Sequence, residues 1–159
     1  MSTPGEVEKP GRRIRIVPPI YFLAAIVAMV AIGWSYPGAV LLEAPWNWLG
    51  FVPLAGGIAL GGISSRLFAK HKTTIKPGHV SRQLLIDGPY RWTRNPIYLG
   101  MLTVLAGVAM LVGSATPWLL LPVFFALIAV NVIPVEEAML IEAFGTEYEM
   151  YRARVRRWI

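Results

Sequence analysis

Apolar residues fill three long uncharged blocks of this chain, and polar residues separate the blocks. No charged residue occurs in 16–42, 44–65 or 95–135. A helix rises ~1.5 Å per residue and needs about 20 apolar residues to cross ~30 Å of hydrocarbon. The first two blocks therefore accommodate one crossing each, and the third accommodates two around a turn at 113–117. The pattern predicts four transmembrane helices, near 18–36, 46–67, 96–113 and 117–135.

Composition agrees with this assignment. The chain has 159 residues, which is room for one domain, and its 55% hydrophobic content and mean hydropathy of +0.54 exceed those of soluble domains. It has no cysteine, which excludes disulfides and thiolate metal sites. His71 and His79 have no acidic residue at metal-ligand spacing. We therefore predict an all-α, polytopic membrane protein that forms a single domain over 1–159 and has no metal site.

The distribution of charge predicts an orientation. All 15 lysines and arginines lie before the first predicted span, from the end of the second (Arg66) to the start of the third, or after the fourth. Basic residues are retained on the cytoplasmic side, so both termini of an integral membrane protein are expected there. The net charge of +6 flanks the spans and suits anionic headgroups. The expected partners are therefore membrane lipids rather than nucleic acid.

Three polar segments lie outside the predicted spans. Residues 1–15 mix proline, glycine and charge, and we predict a disordered cytoplasmic tail. The connection 69–95 exceeds the 12–15 residues beyond which loops are usually functional, and we predict an ordered cofactor loop at the cytoplasmic mouth. Residues 136–159 are predicted to form a cytoplasmic tail of amphipathic helices.

The tail carries an apolar and aromatic stripe. Its members recur at steps of three and four residues: Ile141, Phe144, Tyr148, Tyr151 and Val155. Gly145, followed by Thr146 and Glu149, predicts a helix stop and a capping box that starts a second helix. The stripe fits a lid over the mouth and an amphipathic surface anchor equally well. We expect the four arginines of 152–157 to face water or headgroups.

The second predicted span contains small residues about one helical turn apart. They are Gly50, Gly56, Gly57, Gly61 and Gly62. Small residues let a neighbouring helix approach closely, and we favour this packing role over a ligand groove.

Polar side chains that fit one kind of ligand lie at the ends of the spans. Arginine supplies a fork for a carboxylate, glutamate accepts from an ammonium or ribose hydroxyls, and tyrosine stacks on a base. S-adenosylmethionine contains all of these groups, although headgroup anchoring explains such charges too. Adjacent glutamates on a helix point about 100° apart, but Pro134 can kink the helix and re-aim them. The residues are Tyr90, Arg91, Arg94, Asn95, Tyr98, Glu136 and Glu137.

A resemblance narrows the choice of ligand. The segments GPYRWTRNPIYLG and PVEEAMLIEAFGTEYEMYRARVRRW resemble the isoprenylcysteine carboxyl methyltransferase and phospholipid methyltransferase superfamily of integral membrane enzymes. The family pattern is Arg-His-Pro-x-Tyr-x-Gly, a spanning hairpin, Glu-Glu, then Phe-Gly-x-x-Tyr-x-x-Tyr. The resemblance covers roughly the last 90 residues. It implies a cytoplasm-facing pocket for S-adenosylmethionine, with S-adenosylhomocysteine as product, and a lipophilic acceptor that arrives from the bilayer.

The resemblance implies specific site residues. Arg94 and Glu137 are expected to orient the acceptor as catalytic residues. The cofactor is expected to contact Leu85, Gly88, Tyr90, Arg94, Asn95, Pro96, Tyr98, Glu136, Glu137 and Tyr148. Asn95 departs from the family pattern, which has histidine there, and resembles a bacterial branch of the family. This resemblance implies an integral protein of a bacterial inner membrane. Because asparagine cannot titrate near neutrality, a cofactor contact fits position 95 better than proton transfer.

The predicted function is S-adenosylmethionine-dependent methyl transfer to a lipophilic or amphiphilic acceptor, a carboxylate, an amine or a thiol. The short region before Ala69 argues against the prenylcysteine acceptor itself. A small four-span transporter or a non-enzymatic membrane module is an alternative, but the carboxylates here avoid mid-span positions. A reductase related to the sterol reductases is a third possibility and would bind a nicotinamide nucleotide.

Overall fold

A computed structural model of the chain describes residues 17–70 and 84–159. These residues form an all-helical structure, as predicted, with one isolated antiparallel bridge between Val40 and Ser114. The predicted tail 1–15 and residues 71–83 of the predicted loop, including His71 and His79, lie outside the described residues. The helices are α1 Pro18–Ser35, α2 Phe51–Lys70, α3 Pro96–Val112, α4 Leu120–Leu127, α5 Ile133–Phe144 and α6 Thr146–Arg154.

Three helical segments of the described chain are long and apolar enough to cross a membrane. They are Pro18–Ser35, Trp46–Leu67 and Thr116–Phe144, with mean hydropathies of 1.7, 1.4 and 2.4. Helix α3, which covers the predicted span 96–113, is a shorter apolar helix of 17 residues. It is about 25 Å long at 1.5 Å per residue. The count of four spans therefore stays a prediction.

The helix that contains the fourth predicted span, 117–135, continues beyond residue 135. The helix continues through a π-helical turn, Ile128–Val132, into α5 and carries the glutamate pair with it. Pro134 lacks a backbone N–H and its ring crowds the carbonyl one turn earlier, which accounts for the altered hydrogen bonding just before it. The proline thus changes the helix locally without ending it.

Helices α2 and α3 form a tightly packed antiparallel hairpin. A Cβ atom on Gly57 would lie 2.5 Å from the Gly100 carbonyl oxygen, and one on Gly50 would lie 2.6 Å from that of Gly107. Glycine at these positions lets the two backbones touch. The predicted packing role is therefore correct for Gly50 and Gly57. A Cβ on Gly56, Gly61 or Gly62 would meet nothing within 4 Å.

The two ends of the helix bundle differ in chemistry. At one end the loop after α1 pairs with the loop after α3, since Leu41 and Leu42 donate backbone N–H groups to the Gly113 carbonyl. Neither of these loops has a basic residue. At the other end, which we call the polar end, α2 finishes and α3 begins, and α6 packs nearby. Its described basic residues are Arg66, Lys70, Arg91, Arg94, Arg152, Arg154, Arg156 and Arg157.

Candidate functional site

Short turns at the start of α3 position the polar side chains. Gly88, with φ of +59°, begins a 3-10 turn, Gly88–Arg91, and α3 then starts at Pro96. Proline suits the first turn of a helix because the N–H group it lacks would have no partner there. Arg94 and Asn95 therefore sit immediately before a helix whose start is fixed. Tyr98 follows within its first turn.

Glu137 lies between two arginines. Arg94 Nη1 is 3.0 Å from Glu137 Oε1, and each side chain is 11% exposed. Arg157 forms a two-pronged contact: its Nε donates to Oε1 at 3.1 Å and its Nη2 to Oε2 at 2.6 Å. The hydrogen bonds that Arg157 donates to Glu137 raise the pKa of Arg157, so it stays charged. This cluster of one carboxylate and two guanidinium groups is the electrostatic centre of the polar end.

Glu136 has a different partner from its neighbour. Tyr98, which is buried, donates its hydroxyl to Glu136 Oε1 at 2.7 Å. The two glutamates therefore diverge, as expected for adjacent helical positions, and both still reach residues at the start of α3. One contacts a tyrosine in the first turn of α3 and the other contacts the arginine just before it.

Two tyrosines of α6 close the site from another side. Arg94 Nη1 donates to the Tyr148 hydroxyl at 3.3 Å, and Tyr151 donates its hydroxyl to the Tyr90 carbonyl at 2.7 Å. Both rings pack against Leu84. Burial raises the pKa of Tyr148 and of Tyr151, so both hydroxyls are protonated at neutral pH. The aromatic stripe thus contacts the loop before α3.

The strap, residues 155–159, follows α6 and runs alongside the start of α3. The backbone N–H of Arg94 donates to the Arg156 carbonyl at 3.0 Å. Asn95 Nδ2 and Thr93 Oγ1 donate to the Arg157 carbonyl at 2.9 and 3.1 Å. The centroid of the Trp158 ring lies 4.9 Å from that of Phe125. The strap is therefore held on both sides.

The structure groups most of the predicted site residues but not all of them. Arg94, Glu137 and Tyr148 are in direct contact, and Tyr98 pairs with Glu136. Tyr90, Asn95 and Pro96 lie in the same turns. Leu85 is buried, and Gly88 lies against Leu67 of α2, so these two shape the loop beside the polar cluster.

Sequence reasoning missed part of the cluster. Arg157 is exposed as predicted, with 42% of its side chain accessible, but its pairing with Glu137 was not predicted. Thr93 and Tyr151 also hold the site together. A joint at Gly145 was predicted correctly, but the capping box was wrong, because α6 begins without a side-chain cap. Two adjacent carboxylates at the end of an apolar helix need nearby cations. The glutamate pair in the sequence could therefore have predicted a second arginine beside Arg94.

The donors and acceptors of the polar end fit a zwitterionic ligand that carries hydroxyls and a flat ring. Carboxylates, guanidinium groups and phenol rings occur at this end in two hydrogen-bonded groups, one centred on Glu136 and the other on Glu137. Arg94 Nε is buried and has no hydrogen-bond partner within the described part of the chain, which leaves a donor for a ligand. Among those same residues, no group of three or more histidine, cysteine, aspartate or glutamate side chains could hold a metal ion.

An apolar groove of about 520 Å³ opens between α1, α2 and α3. Ser65 is the polar member of its lining, within the described chain. The Gly61 backbone lies close to Gly100 of α3, as the predicted packing role requires, while a side chain on Gly61 would face this groove with open space above it. Ile97 lines the groove, and the next residue, Tyr98, bonds Glu136 on the other side of α3. The groove and the polar cluster therefore meet at the first turn of α3. The groove is also lined by Phe22, Ile26, Leu54, Met101 and Val108.

Comparisons with known proteins agree with the resemblance seen in the motifs. A protein-S-isoprenylcysteine O-methyltransferase of Schizosaccharomyces pombe is 36% identical over 72 residues, which is 45% of this chain and 30% of that enzyme. An uncharacterised protein of Haemophilus influenzae is 35% identical over 63 residues, 40% of this chain and all of that protein. The match therefore spans less than a third of the yeast enzyme.

No solved structure matches the chain. The phospholipid methyltransferase family matches residues 45–147, well over half of the sequence. The matched region contains α2, α3 and the glutamate pair, together with apolar helices suited to a bilayer. This chain is an integral membrane protein that belongs to the phospholipid methyltransferase family.

Proposed function

We propose that the chain is an S-adenosylmethionine-dependent methyltransferase that acts on a lipophilic or amphiphilic acceptor. The observation that carries the proposal is the convergence of Arg94, Glu136 and Glu137 with Tyr98 and Tyr148 at one end of an apolar bundle. Family membership gives the reaction class its support. Four spans with this polar end at the cytoplasmic face complete the proposal, in keeping with the basic residues collected there.

Different residues of the site are proposed to bind different chemical groups of the cofactor. The buried, unpartnered Nε of Arg94 is available to a carboxylate. Glu136 and Glu137 accept from an ammonium group or from ribose hydroxyls. Leu85, Tyr90 and Pro96, all buried, provide apolar surface for a base, and Gly88 and Asn95 shape the turns around it. Bound S-adenosylmethionine supplies an electrophilic methyl group.

The chain's own contribution is orientation and exclusion of water. Arg94 and Glu137 are fixed by their mutual contact, and we assign them the role of orienting the acceptor next to the cofactor. Tyr148 and Tyr151 cover the cluster and keep it from water. Asn95 cannot take up a proton, which suits an acceptor that is already nucleophilic, such as a carboxylate, an amine or a thiol.

The apolar groove supports the lipophilic class of acceptor. It lies along α1, α2 and α3 and ends beside the first turn of α3, where the polar cluster begins. An acyl or isoprenoid chain lying in the groove would bring a polar head close to Arg94. Its volume of about 520 Å³ lies within the range of ~300–1,000 Å³ that is usual for small-molecule sites.

The test uses purified protein in detergent, S-adenosylmethionine with an isotopically labelled methyl group, and a bacterial lipid extract. We expect mass spectrometry to find the label in a lipophilic product, and Arg94→Ala to abolish the transfer. Arg154→Ala is the matched control, because Arg154 is exposed and, within the described part of the chain, donates to the Met150 carbonyl of its own helix. Label found only in water-soluble products would contradict the acceptor class, and no transfer to any acceptor would contradict the activity.

A further inference from the structure

The orientation of the Glu137 carboxylate depends more on Arg157 than on Arg94. Arg157 holds both carboxylate oxygens, at 3.1 and 2.6 Å, whereas Arg94 contacts only Oε1. A planar guanidinium that binds both oxygens prevents the carboxylate from rotating. A single contact leaves that rotation free. The plane of the Glu137 carboxylate is therefore set from the strap.

The strap is itself fixed by the residues before α3. Thr93, Arg94 and Asn95 donate three hydrogen bonds to the carbonyls of Arg156 and Arg157. Beyond them, the Trp158 ring packs on Phe125 of α4. The Arg157 guanidinium is thus carried by a backbone segment that is held from two directions. This arrangement also gives Asn95 a defined task, since its Nδ2 supports the residue that holds Glu137.

We propose that Arg157 is a positioning residue, which holds the Glu137 carboxylate in the orientation that accepts a hydrogen bond from the bound cofactor. Arg157 acts through Glu137 and does not touch the cofactor. The inference rests on the proposed function, in which Glu137 contacts S-adenosylmethionine. It makes the strap a structural part of the binding site. It also requires arginine in particular, because a lysine ammonium is a single point charge without the two-pronged geometry.

A double-mutant cycle on S-adenosylhomocysteine binding tests the inference. Calorimetry on the full-length protein in detergent compares Arg157→Gln, Glu137→Gln and the double variant with the wild type. We expect each single variant to weaken binding about tenfold or more, and the double variant to bind within about twofold of Glu137→Gln, because the two residues act as one unit. Arg157→Lys keeps the charge and one contact, so its loss is smaller than that of Arg157→Gln.

Arg154→Gln serves as the control, because it removes one positive charge from an exposed arginine near the same site. We expect it to bind S-adenosylhomocysteine within about twofold of the wild type. Gel filtration and thermal unfolding establish whether each variant is folded. If Arg157→Gln does not fold, Arg157→Lys takes its place in the double-mutant cycle.

Three outcomes would overturn the inference. Binding by the Arg157 variants that matches the wild type shows that the strap does not position Glu137. Losses that multiply in the double variant show that Arg157 acts independently of Glu137. Either result leaves the proposed function intact. No binding by the folded wild type overturns the proposed function and this inference with it.

Discussion

The polar end and the apolar groove of this protein are built on opposite principles. At the polar end, ion pairs and hydrogen bonds connect long side chains. The Glu137 carboxylate, for example, pairs with both Arg94 and Arg157. Around the groove, glycines let the backbones of α2 and α3 touch, and open space remains above Gly61 and Gly62. The first arrangement fixes charged groups in place. The second leaves room for an apolar chain of variable shape.

Under the proposed function, this difference puts the cofactor and the acceptor in separate regions that share helix α3. Ile97 and Tyr98 are neighbours in sequence, yet one lines the groove and the other bonds Glu136. A substitution in one region should therefore change the binding of one ligand and leave the binding of the other unchanged. The predictions that follow use this separation, and the first concerns the hairpin that supports both regions.

Gly57→Leu should have the largest effect, which is loss of the folded protein. A Cβ at position 57 would lie 2.5 Å from the Gly100 carbonyl oxygen, so α2 and α3 must separate. Gly56→Leu is the matched control, since a Cβ there meets nothing within 4 Å. Gel filtration and thermal unfolding in detergent measure both variants. A Gly57→Leu protein as stable as Gly56→Leu would contradict the close packing of the hairpin.

Gly61→Leu should fill the groove without disturbing the backbone. A side chain at this position projects into open space, so the fold should persist. We expect kcat/KM for a long-chain acceptor to fall about tenfold or more, while S-adenosylhomocysteine binds as in the wild type. Gly56→Leu, which does not line the groove, should keep both properties. Equal acceptor kinetics in the two variants would remove the groove from the acceptor site.

Tyr98→Phe should weaken the polar end and spare the groove. The change removes the buried hydroxyl that donates to Glu136 at 2.7 Å, which leaves the carboxylate short of a donor. A hydrogen bond to a charged group contributes about 1.5–3 kcal/mol, so cofactor affinity should fall about tenfold. Tyr36→Phe, an exposed tyrosine at the opposite end, is the control. Calorimetry that finds no difference between the two variants would place Glu136 outside the cofactor site.

The smallest effect concerns pH. Asn95 has no titrating group, and burial raises the pKa of Tyr148 and Tyr151, so these three residues stay neutral and contribute no change in cofactor affinity from about pH 6 to 9. Asn95→His adds a group with an ordinary pKa of about 6.5 beside Arg94. Its protonation there adds repulsion, so the variant's thermal stability relative to wild type should fall below about pH 6.5. If the difference in unfolding temperature between Asn95→His and wild type stays the same as the pH is lowered, the placement of position 95 beside the Arg94 charge is contradicted.

The sequence was sufficient for the local features and for the outline of the site. Uncharged blocks predicted the apolar helices, and the motif around Arg94 and the glutamate pair predicted residues that meet in space. Those predictions succeed because the length of an apolar helix and the start of α3 at Pro96 are both set by residues close together in the sequence.

The remaining features depend on tertiary contacts. Nothing in the spacing between positions 137 and 157 indicates that Arg157 turns back to Glu137, since a joint at Gly145 intervenes. The glycines of α2 look alike in sequence, but their direction around the helix decides whether an added Cβ would meet α3 or open space. The continuation of the helix past Pro134 depends on a π-helical turn, which the hydrophobic pattern does not reveal.

The separation of the two regions is tested most directly by titrating S-adenosylhomocysteine into wild type, Arg94→Ala and Gly61→Leu in parallel. Each protein is first shown to be folded in detergent. We predict that wild type and Gly61→Leu bind with the same Kd and that Arg94→Ala binds at least tenfold more weakly. Absence of binding to the wild type, or full binding by Arg94→Ala, would contradict a cofactor site at the polar end.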